Sequence, residues 1–75
     1  MVDFSEKKKV QLIVNGKAQN MSEGLTVAEL IDQLRLDARR VACEVNETIV
    51  RRAGWGQCVL RDGDVVEIVQ MMGGG

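Results

Sequence analysis

The sequence predicts an α+β fold: a mixed sheet of four to five strands packed on one helix. Three observations predict it. The β-branched run Val10–Val14 is followed by Asn15-Gly16 and a second short run, one amphipathic helical segment starts at Thr26, and the strand-like stretch Val65–Val69 stands near the C-terminus. One apolar helical stripe and several half-buried strands hide their apolar faces most economically when the helix lies across one side of the sheet.

Asn-Gly between two extended segments is a strong hairpin signal, because both residues tolerate the positive φ of a type I′ turn. The hairpin joins Val10–Val14 to Lys17–Asn20, with Val10, Leu12 and Val14 on one face and Gln11 and Ile13 on the other. Ser22-Glu23-Gly24 breaks that unit. Thr26 and Glu29 then form a capping box, a hydroxyl and a carboxylate three positions apart that answer each other's unpaired amides. Val27, Leu30, Ile31 and Leu34 recur at helical spacing, which predicts a helix from Val27 to about Arg35 with Glu29, Asp32, Gln33 and Arg35 in water. Leu36 closes the core behind it.

Val41–Asn46 alternates, with Val41, Cys43 and Val45 inward. Asn46-Glu47 makes a second turn and Thr48-Ile49-Val50 returns as a short strand. Residues 51–57 are irregular, with one short helical turn around Trp55, whose ring is expected to cap an edge of the core with its N–H on a partner. Arg61-Asp62-Gly63-Asp64 is a turn with glycine where positive φ is wanted. In the final strand, Val66 and Ile68 face the helix. The first and last strands pair in parallel at the centre, as a crossover helix allows. Hairpin, helix, short strands and a last central strand make the β-grasp arrangement. The expected organisation is a disordered extension over 1–9, the folded domain over 10–69 and a flexible C-terminal glycine tail over 70–75.

Seventy-five residues make one domain, with little room for an enclosed catalytic cleft and a core to support it. A module acted on by larger partners fits better than a self-sufficient enzyme. Ten basic and eleven acidic residues leave a net charge of -1, without the basic excess of a nucleic-acid binder. Lys7-Lys8-Lys9 reads as a solvated run. No apolar stretch approaches the ~20 residues of a membrane span. Met1–Lys9 lacks the order of a signal peptide, so the expected location is the cytoplasm.

With no histidine, neither a zinc site nor a nucleophile–base pair can be named. Cys43 reads as a small core residue and Cys58 as structural or incidental, both free thiols in a reducing compartment. Asp62 and Asp64 read as turn chemistry, since a calcium loop needs more oxygen ligands at fixed spacing. Arg39-Arg40 and Arg51-Arg52 stay open between a solvated role and a basic surface for an acidic partner.

Val14-Asn15-Gly16-Lys17, Thr26-Val27-Ala28-Glu29-Leu30, Val41–Asn46, Leu60–Val69 and the terminal Gly73-Gly74-Gly75 together resemble the ThiS family of thiamine-biosynthesis sulfur carriers, ubiquitin-like β-grasp proteins. Each motif alone is weak, whereas their order and spacing from Val10 to Gly75 are specific. Two features depart from the family pattern: the extension through Lys9, and Glu47 where glycine or aspartate would turn more easily. The resemblance implies a carrier, not an enzyme. Its Gly75 carboxylate would be adenylated by an E1-like adenylyltransferase of the ThiF type. Sulfur from a persulfide donor would then make it a thiocarboxylate for thiazole synthase of the ThiG type. No cofactor is implied on the carrier itself, ATP belongs to the activating partner, and the carrier alone is expected to be a monomer.

The terminus suits that chemistry. A carboxylate is a poor electrophile, and an acyl-adenylate supplies the leaving group that a sulfur nucleophile can displace. Gly73 and Gly74 lack Cβ atoms and so form a thin probe that carries Gly75 into a partner's active site. Ordering such a tail costs about 1–2 kcal/mol per residue, which a docking surface must offset. Val65, Val69 and Met71, outward on the last strand with Glu67 among them, are the candidates for that surface. Three alternatives stay open: a sister carrier for molybdopterin synthesis or tRNA thiolation, a ubiquitin-like modifier joined through Gly75 to lysines, and a plain β-grasp binding module. The last is disfavoured by neutral charge and only 3% aromatic residues.

Overall fold

The computed structural model describes residues 8–71. Five strands, β1 (Lys9–Val14), β2 (Lys17–Ser22), β3 (Val41–Val45), β4 (Thr48–Val50) and β5 (Val65–Gln70), form one sheet in the order β2-β1-β5-β3-β4. β1 and β5 pair in parallel at its centre, with Ile13 opposite Val65 and Val14 opposite Val66. All other pairings are antiparallel. The expected β-grasp topology is therefore present with five strands. β1 starts at Lys9 and β5 runs through Gln70, one residue beyond the 10–69 domain expected at each end.

Helix α1 (Val27–Gln33) starts at the expected capping box: the Glu29 amide donates to Thr26 Oγ1 at 3.2 Å, and the Thr26 amide donates to Glu29 Oε1 at 2.9 Å. Its end differs from expectation. Arg35 adopts φ 59°, the Leu36 amide donates to the Ile31 carbonyl and the Arg35 amide to that of Asp32. This is a Schellman stop carried by a non-glycine residue. Leu34 thus stands at the C-cap, past the last buried turn, and is 38% exposed instead of joining the apolar stripe. Leu36, just beyond, packs against the core as expected.

The core lies between α1 and one face of the sheet. Val10, Leu12 and Val14 of β1, Val41 and Cys43 of β3 and Val66 and Ile68 of β5 meet Val27, Leu30 and Ile31 of α1 there. Fully burying one such aliphatic side chain stabilises the fold by about 1.5–3 kcal/mol. Trp55, in a 3₁₀ segment over Arg52–Gln57, closes one edge: its ring is buried and its Nε1–H donates to the Val50 carbonyl at 2.8 Å. A second 3₁₀ turn, Ala38–Arg40, which the sequence pattern did not reveal, is capped by the Asp37 carboxylate on the Arg39 amide at 2.9 Å.

Candidate functional site

β5 is the strand that leads to the C-terminal glycines, and it is braced from both sides by the two hairpin turns. On the β1 side, the Ile13 amide donates to the Asp64 carbonyl and the Asn15 amide to that of Val66, each at 2.9 Å. The chain then turns away at Asn15-Gly16. Where the next backbone carbonyl of the ladder would stand, Asn15 Oδ1 accepts from the Ile68 amide at 2.7 Å. The β3 side repeats the arrangement. The Asn46 amide donates to the Val65 carbonyl at 2.7 Å, and Asn46 Oδ1 accepts in return from the Val65 amide at 3.0 Å. Asn46 Nδ2 also donates to Asp64 Oδ1 at 3.0 Å. Each asparagine extends a β5 ladder with its side chain after its own backbone has left, which keeps strand amides paired.

The Arg61–Asp64 turn sets where β5 begins. The Asp64 amide donates to the Arg61 carbonyl at 3.0 Å, with Gly63 at φ 89° in the third position. Asp64 Oδ2 accepts from the Arg61 amide and Asp62 Oδ1 from the Gln11 amide. Both carboxylates are spent on backbone amides, the turn role expected of them.

Alternation along β5 puts Val66 and Ile68 inside and Val65, Glu67 and Val69 outside. Val65 is 41% exposed, Val69 56% and Met71 51%. The 3₁₀ segment over Arg52–Gln57 therefore leaves them open to solvent. On the same face, Val69 is in register with Ala42, Glu67 with Glu44, and Ile13 with Val65, while Ile49 of β4 stands beside Glu44 and is 69% exposed. The face is a chiefly apolar surface with a carboxylate pair in the middle.

At the tail end of the sheet, the Met71 amide still donates to the Arg40 carbonyl at 2.6 Å. The held part of the chain thus extends past Gln70, where the tail was expected to start. Gly73, Gly74 and Gly75 lie outside the described residues, as does most of the 1–9 extension. Arg39-Arg40 precede β3 and Arg51-Arg52 follow β4, so the antiparallel pairing brings the two arginine pairs to this same end. Asp37 lies within 3.4 Å of Arg39 and 3.7 Å of Arg40. The Arg39 amide, then its guanidinium, holds the Asp37 carboxyl below its ordinary value.

Cys43 is fully buried, and burial, with Cys58 nearby, pushes its thiol up to about 11. It is a protonated core group at neutral pH, with little of the thiolate that redox chemistry needs. Cys58 is a half-buried free thiol. Among the described residues, no three metal-ligating side chains cluster and no helix is long and apolar enough to cross a membrane.

The model of the ThiS family matches residues 5–75. The chain belongs to the ThiS family. The sulfur carrier protein ThiS of Escherichia coli K12 is 35% identical over 66 residues, which cover 88% of this chain and 100% of that relative. A solved ThiS structure from Geobacter metallireducens superimposes with a TM-score of 0.77 at 36% identity, covering 88% of this chain and 100% of that one. A thiazole synthase of Paramagnetospirillum magneticum is 41% identical over 66 residues. Those residues are 88% of this chain but only 20% of the synthase, so this ThiS-family chain spans about a fifth of that relative. Sequence reading missed Asn15 and Asn46 as anchors of the tail-bearing strand in this ThiS-family fold. The available signal was an asparagine at the same place in both hairpins.

Proposed function

We propose that this chain is a sulfur carrier of thiamine biosynthesis, a substrate of larger enzymes and not itself a catalyst. The observation that carries this reading is the family match, which runs through the terminal glycines to residue 75 and takes in a named sulfur carrier from end to end. A Gly75 carboxylate oxygen attacks the α-phosphate of ATP on an E1-like adenylyltransferase, and pyrophosphate leaves. The terminal sulfur of a persulfide donor then takes the acyl carbon, AMP leaves with the electron pair of the C–O bond, and a thiol reductant cleaves the resulting S–S bond. The product is a thiocarboxylate at Gly75. A thiazole synthase is the acceptor this reading favours, supported by the synthase that carries a similar segment within its own chain.

The fold's contribution is placement. Asn15 and Asn46 fix β5 and the Arg40 carbonyl holds Met71, so the reach lies in residues 72–75. Fully extended, four residues span at most about 14 Å, shorter than a tail counted from Gln70. Gly73 and Gly74 enter the partner's active site, and Val65, Val69 and Met71 dock on its surface. The cytoplasm, where ATP and reduced thiols are at hand, is the compartment this chemistry requires.

Intact mass after incubation with the adenylating enzyme, ATP and a sulfur source tests the proposal. The expected result is exchange of one oxygen for sulfur on the C-terminal peptide. No exchange with an enzyme active on its own carrier would sink it. Deleting Gly75 should abolish the exchange and leave thermal unfolding unchanged.

A further inference from the structure

Glu44 and Glu67 are cross-strand neighbours in register at the middle of the outer sheet face. Side chains so placed have Cβ atoms about 5 Å apart, and like charges directly opposite destabilise a sheet. Glu67 is exposed and Glu44 half-buried. The ion pairs found among the described residues both go to Asp37. Among the described residues, then, neither glutamate is in an ion pair, and Arg51, two positions beyond Ile49, forms none with them. Apolar residues flank the pair, Ala42 and Val69 toward the tail, Ile13 and Val65 away from it and Ile49 at the side, with Asn15 and Asn46 at the turn end.

We propose that the Glu44–Glu67 pair is the charged centre of the docking face and receives a guanidinium or ammonium group of the enzyme that adenylates the tail. The inference rests on the carrier reading above. A partner that covers Val65 and Val69 must also cover the two carboxylates between them. Covering them with apolar surface alone would strip water from two unpaired charges, at a cost larger than the apolar contact returns. A guanidinium suits the place best, because its fork can hold both carboxylates at once. The enzyme's own task points to the same sign of charge. It draws in an anionic chain end together with the phosphates of ATP, so its mouth carries a positive field. A second copy of this chain, seated face to face, would set carboxylates against carboxylates.

The experiment compares the full chain with Glu44→Gln/Glu67→Gln and with Glu67→Lys. Affinity for the adenylating enzyme is measured by calorimetry at low and high salt, stability by thermal unfolding, and self-association by sedimentation. The double glutamine variant is expected to unfold at a higher temperature than the parent and yet bind about tenfold more weakly, with a flatter salt dependence. Glu67→Lys binds more weakly still. At saturating enzyme the double variant still gains its thiocarboxylate, because the tail is intact. If the parent gains sulfur and the double variant binds as tightly as the parent, the pair has no such role and the carrier reading stands. If the parent gains no sulfur, both readings fall. A parent that dimerises, and loses the dimer in the glutamine variant, overturns the proposal in favour of a second copy. Weaker binding together with lower stability overturns it in favour of a structural role.

Discussion

Asn15-Gly16 joins β1 to β2, and Asn46-Glu47 joins β3 to β4. Both are two-residue turns with positive φ at each central position, 49° and 83° in the first, 51° and 70° in the second. In both, the asparagine Oδ1 accepts a hydrogen bond from a backbone amide of β5. Of the two central residues, only the second differs between the turns. The first position answers two demands, a left-handed backbone and an acceptor aimed at the central strand, and asparagine meets both. The second position answers the backbone demand alone. Glycine meets it freely at Gly16, whereas Glu47 meets it with a Cβ that crowds the following carbonyl.

If that division is right, removing the acceptor should cost most where the amide is least exposed. Asn15→Ala leaves the part-buried Ile68 amide unpaired, a loss of about 1–3 kcal/mol, and puts alanine in a left-handed conformation. A total loss of about 2–3 kcal/mol in urea unfolding is expected. Asn15→Asp keeps an acceptor and should recover most of it. Equal loss in both variants would show that the Oδ1 bond is not what the position requires.

Asn46→Ala tests the partner turn. Its Val65 and Asp64 contacts are solvent-exposed, so water replaces them in part and the expected loss is smaller, about 1–2 kcal/mol by the same assay. A larger loss than at Asn15 would reverse the ranking of the two turns. Next comes Gly16→Ala, with about 1 kcal/mol lost to backbone strain alone. A Cβ built there meets nothing within 4 Å and alanine's lower freedom in the unfolded chain can only reduce the loss, so any loss well above that would mean that the turn itself had changed.

Legibility in the sequence followed the range of the interaction. The capping box of α1, both hairpin turns and the Arg61–Asp64 turn are local and were readable from a few neighbouring residues. Which face of β5 is buried followed from alternation of Val66 and Ile68 with Val65 and Val69. The helix stop was hidden, because Arg35 stands where a glycine would have announced it, and Leu34 was therefore counted as core. The bonds of Asn15 and Asn46 to β5 span 53 and 19 positions, and the asparagine repeated in both hairpins marks the two residues without naming their partners. Partners were likewise hidden for Glu44 beside Glu67, which needs the β3–β5 register, and for Met71 on Arg40, which moves the root of the tail. The fold was legible, and so was the outward face. The devices that hold the tail-bearing strand were not.

Glu47→Gly is the smallest expected effect, and its sign is the most informative. Relieving the left-handed strain returns roughly 1–2 kcal/mol, while glycine's greater freedom in the unfolded chain takes back about 0.5–1 kcal/mol. The net is a gain of about 0.5–1 kcal/mol, which in a domain of this size raises the melting temperature by roughly 3–6 °C. The turn lies at the end of the sheet away from Met71, since Val45 pairs with Val66 and Val41 with Gln70. Gain of sulfur at Gly75 should accordingly be unchanged. A drop in melting temperature would mean that the Glu47 side chain offsets its own backbone strain. In that case the two turns would differ by more than a glycine, and the second position would carry a demand of its own.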